Sequence, residues 1–162
     1  MDVFLSYAVG SWDAPIAARL RAVAAAYDIA ILLPDRTQII HNGLSVDTQE
    51  KIKESDAVIA LVTNTTTPDA IDVVNRELAI ATQFRKPVIG LVELGGIQIQ
   101  PAVDTQVVHF DRSNPTAHEP DLMNALAHIR QQKSKNDLTA LGWIAGIALG
   151  LIALGTLLPD EK

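Results

Sequence analysis

At 162 residues, 48% of them hydrophobic and 20% charged, the chain has material for one sizeable core and not two. Its 13 Lys and Arg against 19 Asp and Glu leave a net charge of -6, which excludes a broad basic face and, with it, nucleic acid as a partner. The absence of cysteine excludes disulfides, thiol nucleophiles and cysteine-containing zinc sites, and is what a reducing compartment permits.

In chain order, the apolar run 2–7 predicts a strand, entered with no secretory-type leader, so the folded part is expected in the cytoplasm. The Ala-rich stretch 12–27 repeats Ile16, Leu20 and Val23 at helical spacing and predicts a helix packed on a sheet. A second strand over 29–33 stops at Pro34, a helix over 45–55 is capped by Ser45, and a third strand covers 57–63. Asp69 stands where an N-cap belongs before a helix over 70–84. Strands over 88–92 and 107–110 follow, then a helix over 119–132 with Leu122, Leu126 and Ile129 on one side.

Short apolar runs alternating with longer helical patterns mark βαβ units, and strands apolar throughout imply helices on both faces. The expectation for 1–130 is therefore a flavodoxin-like, five-stranded parallel sheet. Ligands in such sheets bind beyond the carboxyl ends of the strands at the switch point, which singles out 7–12, 34–43 and 64–69.

Beyond this domain, 131–137 reads as a polar linker and 138–158 as an uncharged run that would span about 31 Å as a helix, followed by a tail at 159–162. That predicts a single transmembrane helix. Arg130, Lys133 and Lys135 before the span place the large domain on the cytoplasmic side of the inner membrane. Gly142, Gly146 and Gly150 recur every fourth residue, a ridge suited to self-association of the helix. His41, His109, His118 and His128 lack any paired helical spacing, so no metal site is expected. No phosphate-cradling glycine motif is present, so neither an ATPase nor a dehydrogenase is suggested.

Three segments in order, VFLSY at 3–7, IKESDAVIALVT at 52–63 and NRELAIATQFRKPVIGLV at 75–92, resemble the Toll/interleukin-1 receptor (TIR) domain in its bacterial form over roughly 1–130. Many members of that family split NAD at the nicotinamide–ribose bond, using a Glu in a Glu-then-Ala, Lys-Pro-Val pattern matched here by Glu77. A carboxylate suits that chemistry because cleavage of a glycosidic bond makes the ribose oxocarbenium-like. The resemblance gives Glu77 as the catalytic residue and Ser6, Tyr7, Trp12, Arg36 and Asn64 as candidate substrate contacts. Val73 stands where active members commonly carry an aromatic ring, which leaves Trp12 to stack on a base. No cofactor is implied, NAD being a substrate.

Three functions stay open. One is a membrane-anchored, self-associating NAD-cleaving effector of bacterial antiphage defence. Another is a non-catalytic TIR-like sensor or scaffold for a small nucleotide signal, whose assembly clusters the membrane helices and disturbs the bilayer. In the third, the domain resembles a nucleoside deoxyribosyltransferase, which shares the Glu-then-Ala helix and again centres on Glu77.

Overall fold

The computed structural model describes residues 1–7, 13–35, 44–95 and 105–136. Strands β1 (Asp2–Tyr7), β2 (Ala30–Leu32), β3 (Ala57–Val62), β4 (Val88–Glu93) and β5 (Thr105–Phe110) form one sheet in the order β2-β1-β3-β4-β5, all neighbours parallel. This is the flavodoxin-like order, with its switch point between β1 and β3.

Helices cover both faces, as the apolar strands require: every residue of β3 is buried. Helices α1 (Ala14–Ala25) and α4 (Glu119–Asn136) close one face over Val3, Leu5, Ile59, Leu61 and Leu91. Helices α2 (Val46–Glu54) and α3 (Pro68–Gln83) lie on the other, where Phe4, Ile52, Val58 and Ala81 pack together. Alternation along β1 therefore sends Phe4 and Ser6 toward α3, and Leu5 and Tyr7 toward α1 and α4.

Local chemistry sets the ends of α3. Its N-cap is Thr67, whose hydroxyl accepts from the Ala70 N–H, and not Asp69 as predicted. Pro68 decides between the two. A proline lacks an N–H and is accommodated in the first helical position, so the cap falls just before it. At the far end, Arg85 adopts φ 52° while its N–H reaches the Thr82 carbonyl and the Lys86 N–H reaches the Ala81 carbonyl, a Schellman closure. A left-handed conformation suits glycine better than arginine. Arg85→Gly should raise the unfolding free energy by about 0.5–1 kcal/mol in a urea melt; a loss of stability would mean that the Arg85 side chain holds α3 in some other way.

Helix α4 continues to Asn136, through most of the segment expected to be a linker. It is tied down where Arg130 donates to the Tyr27 carbonyl at 2.7 Å and Lys133 pairs with Asp56. No helix among the described residues is long and apolar enough to cross a membrane. The predicted span at 138–158, with Gly142, Gly146 and Gly150, lies outside the described residues. The assignment to the inner membrane finds no support in the fold and is dropped.

Candidate active site at the switch point

Within α3, Val74, Glu77 and Ala81 recur on the stripe that faces the sheet, and all three are buried. Glu77 sits at the centre of that stripe, with 0% exposure. Ser6, Ala60 and Gly90 stand side by side in register on the face that α3 covers, a row of small residues that leaves depth for a carboxyl group. Into that depth the Ser6 hydroxyl, itself fully buried, donates to Glu77 Oε2 at 2.5 Å. The bond joins the carboxyl end of β1 to the third turn of α3, beside the switch point.

Above this pair, the carboxyl ends of the strands carry a second polar cluster. The Arg112 guanidinium, just past β5, donates through Nε and Nη2 to Glu93 at the end of β4, at 2.8 and 3.0 Å. It also lies 3.6 Å from Asp13 Oδ1. Asp13 and Glu93 are 2% and 6% exposed. Burial pushes the Glu93 carboxyl up, but the hydrogen bonds from Arg112 and from the Asn64 N–H outweigh it and hold the group below the ordinary carboxylate range. The same pairing raises the Arg112 guanidinium above its ordinary value.

Among the predicted substrate contacts, Ser6 is joined to Glu77. Tyr7 packs toward the opposite face of the sheet, against the α1 and α4 core. Asn64 caps the end of β3, its N–H on Glu93 at 2.9 Å and its amide on the Leu94 carbonyl at 3.3 Å. Val73 is half-buried one turn before Glu77. Trp12 and Arg36 lie outside the described residues. Sequence reasoning passed over Asp13, Glu93 and Arg112, although a charged residue closing the apolar run of β4 was a usable signal.

A mostly apolar cavity of about 230 Å³ lies between α1 and α4, lined by residues such as Ile16, Leu20, Leu91, Phe110 and Leu122. Neither Ser6 nor Glu77 lines it, so it is separate from the buried carboxyl.

No protein-family model matches the chain, and neither does any curated protein. Its fold is similar to that of solved structures of two enzymes. One is a 2-deoxyribosyltransferase from the psychrotolerant bacterium Bacillus psychrosaccharolyticus, 16% identical over 70% of this chain and 88% of that one, with a TM-score of 0.48. The other is a CMP N-glycosidase from Clostridium botulinum, 16% identical over 75% of this chain and 99% of that one, with a TM-score of 0.50. Such identities speak to fold.

The likeness in fold to the CMP N-glycosidase overturns the TIR resemblance, and with it both the NAD-cleaving antiphage effector and its sensor alternative. The misreading has a physical source. Lys86 and Pro87 make the turn into β4, with the Lys86 ammonium on the Ser55 carbonyl at 2.7 Å, so part of the shared pattern is the entry of a strand into an open sheet.

Proposed function

We propose that the chain breaks the N-glycosidic bond of a nucleoside or nucleotide, with Glu77 as the reacting carboxylate. The observation that carries this reading is the burial of Glu77 at the switch point in a hydrogen bond with Ser6. A carboxyl group placed on the sheet-facing stripe of a helix forgoes hydration and weakens the core. Such placement suits a group needed for chemistry in a site screened from bulk water. The fold shared with a CMP N-glycosidase makes this bond the first to test.

In the reaction, the C1′–N bond breaks and its electron pair leaves with the base. The developing positive charge at C1′ is met by the Glu77 carboxylate, which can take C1′ as a glycosyl ester. Water then attacks C1′, releases the carboxylate and gives up a proton that balances the one gained by the departing base. A second base in place of water turns hydrolysis into transfer. No metal or cofactor enters these steps. Ser6 holds Oε2 and so fixes the plane of the carboxyl group, which makes it a positioning residue. Ser6→Ala should lower kcat by about 10- to 100-fold, the worth of one hydrogen bond to a charged group, with KM little altered.

The test is incubation with deoxynucleosides, ribonucleosides and nucleoside 5′-monophosphates, following free base by chromatography, with a second base added to reveal transfer. Base release from at least one class supports the reading. No release from any class, at enzyme concentrations near that of substrate, rejects it.

A further inference from the structure

Asp13 occupies the N-cap position of α1 and is of a residue type that caps well, yet its side chain makes no capping bond there. Its carboxylate turns instead toward the strand ends. Oδ1 accepts from the Thr63 hydroxyl at 2.9 Å and the Thr65 hydroxyl at 3.3 Å, and it faces Arg112. The Thr63 N–H in turn donates to the Thr66 hydroxyl at 2.9 Å. Residues 63–67 are the connection from β3 to the cap of α3, the helix that carries Glu77. One buried carboxylate thus fastens the start of α1, the loop leading into α3 and the segment after β5.

We propose that Asp13 is a positioning residue for the Glu77 site. By holding 63–66 against the start of α1, it sets where α3 begins and therefore where the Glu77 carboxyl meets Ser6. Local opening of 63–66 would let the first turns of α3 shift, and small displacements of a reacting group cost large factors in rate. The inference rests on the reading of Glu77 as the reacting carboxylate, but the link between Asp13 and α3 can be measured without it.

Full-length Asp13→Ala and Asp13→Asn proteins are to be compared with the wild type by amide hydrogen exchange and by base release. In Asp13→Ala, exchange at Thr63, Asn64, Thr66 and Ile71 should quicken at least tenfold while α2 keeps its protection. kcat should fall at least tenfold with KM within twofold. Asp13→Asn should recover most of both, because an amide oxygen still accepts from the threonine hydroxyls. If the alanine protein fails to fold, Thr63→Val, which removes the hydroxyl that donates to Asp13, should quicken exchange at the same residues, and unchanged exchange there overturns the proposal. Unchanged exchange across 63–71 in both Asp13 variants overturns the proposal. So does a rise in KM at constant kcat, which would make Asp13 a substrate contact. Absence of base release by the wild type sinks the glycosidic reading alone, and the exchange result still decides the link.

Discussion

Glu77→Gln is expected to abolish base release, by at least roughly 10³-fold, while leaving the fold standing. The amide is nearly isosteric, and its oxygen can still accept from the Ser6 hydroxyl that reaches Oε2 in the wild type. It cannot carry the negative charge that meets C1′, nor form the glycosyl ester. Packing along Val74, Glu77 and Ala81 is thus preserved while the chemistry is removed. Glu77→Asp keeps the charge but withdraws it by one methylene and should retain partial activity. Because a buried carboxyl is costly to desolvate, the Gln protein should unfold within about 1 kcal/mol of the wild type, or be more stable. Single-turnover base release and urea melts measured on the same preparations separate the two readings of this residue. Retained activity would remove Glu77 from the mechanism; a loss of several kcal/mol with no activity to lose would make it a structural residue.

The sheet was legible in the sequence because burial on both faces leaves apolar runs bounded by turns, and all five strands fall where those runs lie. Glu77 was singled out through the family resemblance alone; that it interrupts the apolar stripe of Val74 and Ala81 is what the structure adds. What it interrupts, and how deeply, depends on the small residues of three different strands, and no single segment shows that. The TIR resemblance did not hold. Its apparent motifs mix residues of the site with the turn chemistry of Lys86 and Pro87, which any strand entering such a sheet from a helix can use. The cluster of Asp13, Thr63, Glu93 and Arg112 was least visible of all. Asp13 and Thr63 are 50 positions apart, a separation set by topology and carrying no periodicity. At Asp13 the local rule even misleads, because a good helix cap is diverted into a tertiary contact.

That cluster should also give the largest change in stability. Arg112→Met keeps much of the apolar stem but leaves the Glu93 and Asp13 carboxylates, 7% and 3% exposed at their side chains, without the guanidinium that faces both. Stranding buried charges costs more than the pair itself contributes. Arg112 is partly exposed, at 36%, so we expect a loss of about 2–4 kcal/mol at pH 7, toward the lower part of the range for a buried pair. Lysine should restore only part of it, lacking the fork that engages Glu93 through two nitrogens. The sign of the pH dependence follows from Glu93. In the wild type its folded value lies below the ordinary 4.5, so its contribution is complete above that pH and disappears as pH falls through the lowered value. Without Arg112, the upward push of burial is opposed only by the Asn64 N–H. The deficit of Arg112→Met should then be greatest near neutral pH and shrink as Glu93 protonates. Urea melts at pH 7, 5 and 3 test this, and a deficit constant across the series would reduce Arg112 to a packing residue. Because Glu93 also holds the Asn64 N–H at the end of β3, the same substitution should loosen the loop that leads into α3, so loss of stability and loss of Glu77-dependent turnover are expected together.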